Sequence, residues 1–199
     1  MQPSKSAARA VIYSAYTFVI LLYIFSSPPF ICAATLICAA MHEACHILCA
    51  AAFKRKIKPL SFSVTGLYPD VGRGSAASCV AIYIAGPIFN ILMCGICFFL
   101  FRSFPSQTVV ELFSVNAALG CFNLLPIPFS DGSGIIRICI SRLIKKSLGD
   151  ILCGVVETLF SFMLFVLFSY RFFMLQKGLF SFLCSFVFVV CALGRITRE

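Results

Sequence analysis

Charge is what this chain has least of. Charged side chains make up 12% of its 199 residues, against roughly 25% in an ordinary soluble domain. There are seven acidic residues, two His and no Trp. So little charge excludes a disordered, solvated chain and an ordinary soluble domain. What fills the space is apolar: 61% of residues are hydrophobic, 23 of them Phe, in long runs with short gaps. The reading is an integral membrane protein forming a single membrane-embedded domain over residues 1–199, with the lipid bilayer as its first partner. The 12 Cys lie mostly inside apolar runs, where a free thiol behaves as a small hydrophobe. No even framework sits in polar loops, so a disulfide scaffold is excluded and a reducing compartment is expected.

A spanning helix needs about 20 mostly apolar residues. Six segments meet or approach that length, at residues 10–25, 30–52, 76–101, 108–125, 151–170 and 178–193. The first lacks a clear cleavage site and is followed at once by another span, so it is read as retained rather than as a signal peptide. With the N-terminus inside, 13 of the 16 basic residues fall on the inner side, and only Arg102, Arg171 and Lys177 fall outside. Basic residues stay cytoplasmic. The expected fold is therefore an all-α polytopic membrane protein with six spans and both termini cytoplasmic. The net charge of +9 is thus a topology signal, and no nucleic-acid partner is expected.

Two inner loops carry pattern. Residues Leu60 to Thr65 alternate apolar and polar, a strand period that predicts a short membrane-associated β segment between spans two and three. Residues Ile135 to Leu148 predict a short amphipathic helix at the interface, its basic residues at headgroup level.

The chemistry-bearing residues are few. Span two contains His42-Glu43-Ala44-Cys45-His46, and these are the only two His in the chain. Residues four apart share a helix face, so both imidazoles can meet one metal ion, with Glu43 beside its water; this is the pattern of zinc hydrolases. At 1.5 Å per residue, His46 lies roughly 9 Å and His42 roughly 15 Å from the cytoplasmic end of the span. Ionisable groups at that depth are costly and mark function. A catalytic zinc commonly takes a third protein ligand. Asp131, Glu157, Asp70, Cys45 and Cys49 are candidates. Asp131 follows a helix break at Pro126 and Pro128, and Glu157 lies at a depth close to that of His46.

With Ala85-Gly86-Pro87-Ile88-Phe89-Asn90 and the stretch Asn123-Leu124-Leu125-Pro126 to Asp131-Gly132, the pattern around His42 and His46 resembles the site-2 family of intramembrane zinc metalloproteases. The three motifs stand in that family's order over a core of about residues 30–146. The layout is similar to the sporulation-type bacterial subgroup, which processes a membrane-associated pro-sigma factor. That subgroup often carries a regulatory CBS domain after the last span, and none is expected here. The chain departs from the family at Cys45 and Ser133, where Gly is common in the family.

The resemblance implies one zinc ion per chain held by His42, His46 and Asp131, Glu43 as the base, and Asn90 and Asn123 near the substrate. It also implies a multi-pass protein of a bacterial cell membrane. The expected partner is a membrane-associated protein substrate, such as a sigma or anti-sigma factor, with a regulatory membrane protein as a further one. A membrane metal transporter or metal-binding protein, and a catalytically silent relative, are the alternatives. Ionisable groups clustered toward one side count against transport, and an intact Glu43 counts against silence.

Overall fold

The computed structural model describes residues 23–25, 27–55 and 75–196. Six helices account for most of them: α1 Pro29–Ala52, α2 Ala76–Ser103, α3 Gln107–Leu124, α4 Asp131–Leu143, α5 Lys146–Leu175 and α6 Leu179–Ile196. No strand occurs among the described residues. The predicted β segment at 60–65 lies outside them, and so does nearly all of the first predicted span at 10–25.

Local chemistry sets the helix ends. Pro29 opens α1, where a missing N–H costs nothing and the fixed φ suits a first turn. Lys54, at φ 52°, turns the chain out of that helix, and its N–H and that of Arg55 return to the carbonyls of Ala51 and Ala50. Ser75 caps α2 by accepting from the Ser78 N–H at 3.2 Å, and Ser106 caps α3 through the Val109 N–H.

The turn from α3 to α4 is organised by one hydroxyl. Pro126 and Pro128 forbid helix, and Phe129 takes a positive φ of 72°. The Ser130 hydroxyl donates to the carbonyls of Leu125 and Ile127 and accepts from the Ser133 N–H at 3.1 Å. It thereby closes the Pro-rich turn and caps α4. Asp131 follows as the first residue of that helix, where a carboxylate is favoured by the helix dipole.

Three helices are long and apolar enough to cross a membrane: Pro29–Ala52, Ala76–Ser103 and Ser147–Leu175. The shortest of them, 24 residues, reaches about 36 Å, more than the hydrocarbon core of about 30 Å. The protein is thus all-helical with three candidate spans among its described residues. Helix α3 carries Gln107, Glu111, Asn116 and Asn123 and is not one of them, and the apolar stretch of α6 is shorter, Leu179–Gly194. Helices α1, α2 and α3 pack mutually, α4 lies on α2, and α5 and α6 form a hairpin that meets the rest through α4 and through Phe188 against Phe122 of α3. Ala34, Cys38 and Val115 fill the α1–α3 contact. Cys79, Tyr83 and Ile138 fill the α2–α4 contact. Rings of Phe165, Phe172, Phe182 and Phe186 knit the hairpin.

The amphipathic segment differs from expectation. It is helical over Asp131–Leu143 rather than 135–148. Its Arg137 is ion-paired with Asp150 at 3.0 Å and Glu157 at 3.2 Å on α5. Two acceptors on a neighbouring helix hold a guanidinium in a fixed geometry that a fluid headgroup layer does not offer.

Candidate metal centre

His42 and His46 are one turn apart on α1, and both are buried. Asp131, at the start of α4, comes to them across the bundle. The Nε2 atoms of the two His lie 3.1 Å apart. Asp131 Oδ2 is 3.1 Å from His42 Nε2 and 3.4 Å from His46 Nε2. These three residues form a group able to hold a metal ion.

The donor set fits a cation on two counts. The first is distance. Tetrahedral bonds of about 2.0 Å to nitrogen and oxygen imply ligand atoms about 3.3 Å apart, which the three measured separations bracket. The second is orientation. His42 Nδ1 is 2.5 Å from the Asn90 side-chain oxygen, and His46 Nδ1 is 2.6 Å from the Ile82 carbonyl. An oxygen acceptor on each Nδ1 places the proton there and turns each Nε2 lone pair inward, as an outer-layer partner does for a ligating imidazole. Two lone pairs and a carboxylate oxygen then converge on one point.

The proline in α2 sits where this happens. Pro87 has no N–H to give to the Tyr83 carbonyl and crowds the preceding turn. The Ile82 carbonyl that receives His46 belongs to that turn. Gly86, just before Pro87, forms the floor of the site. A Cβ there would lie 2.5 Å from both Nε2 atoms, so only a glycine lets α2 approach this closely.

Electrostatics agree with the geometry at Asp131. Burial alone would raise its pKa. In the metal-free site, hydrogen bonds and charge from His42 and His46 in their protonated forms outweigh that and hold the carboxyl below its usual range.

The other expected residues fall in three places. Asn90 does not face open space. It is fully buried, with its oxygen on His42 and its amide N–H donating to Asn116 Oδ1 at 3.0 Å. Asn116 in turn donates to the Leu112 carbonyl and to Cys38 Sγ. A line of side chains thus runs from α3 through α2 to His42. Asn123 is half-buried, and its amide donates to the Leu119 carbonyl at 3.1 Å. Glu43 is exposed beside His42 on α1. Glu157, the rival third ligand, is not in the group. It is 2% exposed and is bonded to Ser133 and Arg137. Cys45 and Cys49 are half-buried free thiols outside the group, and Asp70 lies outside the described residues.

Asn116, Gly86 and Ser130 had no assigned role in the sequence. A polar residue inside an apolar run was the available signal for Asn116. No family model and no curated protein matches the chain.

Proposed function

We propose that the protein is an intramembrane zinc metalloendopeptidase that hydrolyses peptide bonds in or near a transmembrane segment of a membrane-associated protein. The observation that carries this is the convergence of His42, His46 and Asp131 from two helices, His42 and Asp131 being 89 residues apart in sequence, with Glu43 next to the first ligand. Two imidazoles and a carboxylate make the ligand set of a hydrolytic zinc site with one position left open. Imidazole and carboxylate suit zinc, whereas a thiolate-rich set would suit a softer ion.

Zinc held there would supply Lewis acidity and a water of lowered pKa. The chain's own groups do the rest. Asn90 and the Ile82 carbonyl fix the tautomers of His42 and His46, so both rings reach the site as neutral ligands. Glu43, exposed and not drawn into the ligand group, takes a proton from the water that attacks the scissile carbonyl. It returns that proton to the amine as the C–N bond breaks. Asn123 keeps a second N–H beyond the one given to Leu119, and this is available to the developing oxyanion. A substrate helix must first unwind, because its carbonyls are otherwise paired. The 60–65 segment, if extended, offers an edge to hold it.

The wider reading follows the resemblance to the site-2 proteases. It includes six spans with both termini in the cytoplasm of a bacterial cell, and a sporulation-type role with a sigma or anti-sigma factor as substrate. Glu43→Gln separates the readings. Full-length protein and variant are purified in detergent, assayed for zinc by elemental analysis, and incubated with membrane-tethered sigma and anti-sigma factors. The variant is expected to keep its metal and lose cleavage. Cleavage that survives the change, or an active preparation free of transition metal, overturns the proposal.

A further inference from the structure

Helix α5 carries one fully buried carboxylate, Glu157, which the proposed chemistry does not use. A carboxylate buried in an apolar bundle is costly unless every oxygen finds a partner. Glu157 receives the Ser133 hydroxyl and the Arg137 guanidinium on the same oxygen, Oε1. Arg137 is itself held at its other end by Asp150. Both Ser133 and Arg137 belong to α4, the helix that opens with Asp131.

The three residues after Asp131 are each held by a different helix. At Gly132 a Cβ would run into the Leu124 carbonyl at the end of α3, and at Gly134 it would lie 2.5 Å from the Tyr83 ring of α2. Ser133 stands between them and is bonded to Glu157 of α5. The two glycine contacts are close approaches without direction. The Ser133–Glu157 bond is directional, and it fixes the rotation of the first turn of α4 about its axis. That rotation decides where the Asp131 carboxylate points.

We propose that Glu157 is a positioning residue for Asp131, acting through Ser133 and steadied by Arg137; this rests on the metal-centre reading above. Glu157 does not touch the ligand group. It sets the angle from which the third ligand enters, as the outer partners of a metal ligand do. This role also accounts for a Ser at position 133, since a glycine there would offer Glu157 no hydroxyl.

The test uses the full-length protein in detergent. Zinc affinity is measured by competition with a chromophoric chelator, and the visible spectrum of the Co2+-substituted protein reports the ligand geometry. Glu157→Ala and Ser133→Ala are each expected to weaken zinc binding about 10-fold and to shift the cobalt bands. The double variant is expected to lose about 10-fold rather than about 100-fold, because both changes break one bond. Glu157→Gln keeps an acceptor for Ser133 and is expected to recover most of the affinity and the native spectrum.

Wild-type affinity and spectrum in Ser133→Ala and Glu157→Ala, with Asp131→Ala empty, would overturn the proposal and leave the metal centre standing. Additive losses in the double variant would overturn it too. If Glu157→Ala does not fold, Ser133→Ala and Glu157→Gln decide alone. If the wild type binds no zinc, or if Asp131→Ala binds it as tightly, the metal-centre reading fails and the proposal falls with it.

Discussion

Replacing Gly86 with Ala adds one methyl group at the floor of the ligand group. Its carbon would lie 2.5 Å from His42 Nε2, 2.5 Å from His46 Nε2 and 2.6 Å from His42 Cε1. Ordinary contact between such atoms is about 3.5–4.0 Å, so the overlap is about 1 Å on two rings at once. Neither ring can yield freely, because Asn90 and the Ile82 carbonyl hold their far sides. Either α2 retreats or the Nε2 atoms swing out of register. Overpacking of this kind costs about 1–3 kcal/mol. Converted at 1.4 kcal/mol per decade, that is a loss of about 5- to 150-fold in metal affinity. A control lies on the same helix: a Cβ at Gly95 meets nothing within 4 Å. Zinc affinity of both variants in detergent, from chelator competition, gives the comparison. Gly86→Ala should fall in the stated range while Gly95→Ala matches the wild type. Equal affinities in all three proteins would refute the placement of α2 against the imidazoles.

The other expectations concern the same centre. Asn90→Ala removes the acceptor on His42 Nδ1 and should weaken zinc binding about 10- to 100-fold. Asn116→Ala should act in the same direction but less, since it reaches His42 only through Asn90; a larger effect than Asn90→Ala would break that order. Zinc in 100-fold excess over its dissociation constant should stabilise the folded protein by about 2.7 kcal/mol. A melting-temperature rise on zinc addition in the wild type and none in His46→Ala is the check, and an equal rise in both would place the ion elsewhere. Acid should strip the metal between about pH 7 and 5, where imidazoles take up protons. Asp131, held below its usual range, stays ionised through that window. Its stabilising contribution is present above the unfolded carboxyl value of about 3.9 and is lost only as pH falls through the lower folded value. Zinc retained unchanged down to about pH 4 would contradict the two-imidazole assignment.

The local half of the centre was legible in the sequence, because two His four apart need only a helix to share a face, and the Pro28–Pro29 start and apolar run of α1 supply one. Spacing alone left Asp131 one candidate among several, and the resemblance to the site-2 family picked it out. Depth along a span made Glu157 a rival, and depth says nothing about which way a side chain faces. The structure turns Glu157 toward Ser133 and Arg137. Helix ends were read short at α5, which begins at Lys146 and runs to Leu175 rather than spanning 151–170. Hydropathy tracks lipid contact, whereas backbone hydrogen bonding continues past it. Glycine is a poor helix former, so the predicted start of α4 falls at Ile135, after Gly132 and Gly134. Both lie inside the helix, where their lack of a side chain lets α3 and α2 come close. The resemblance places Asn90 near the substrate; the structure adds that its side-chain oxygen lies on His42 Nδ1.

The buried polar residues share a common logic. Ser161 and Ser185 bond back to carbonyls of their own helices, the usual way an apolar helix tolerates a hydroxyl. His42, His46, Asn90, Asn116, Ser133 and Glu157 are buried too, and each bonds across helices, although Asn116 also returns one bond to Leu112. Asn116 serves Asn90, Asn90 serves His42, and Glu157 serves the helix that presents Asp131. Polar groups in an apolar bundle cost free energy unless each finds a partner. In this bundle these partners lead to one place, where, with both rings neutral, two inward lone pairs and a carboxylate oxygen meet with no donor among them. Left alone, those three acceptors repel. A proton between them relieves part of that, and a divalent cation relieves all of it. The network therefore gathers its polarity where a bound cation would complete it, and removing the outer members should loosen that cation before it loosens the fold.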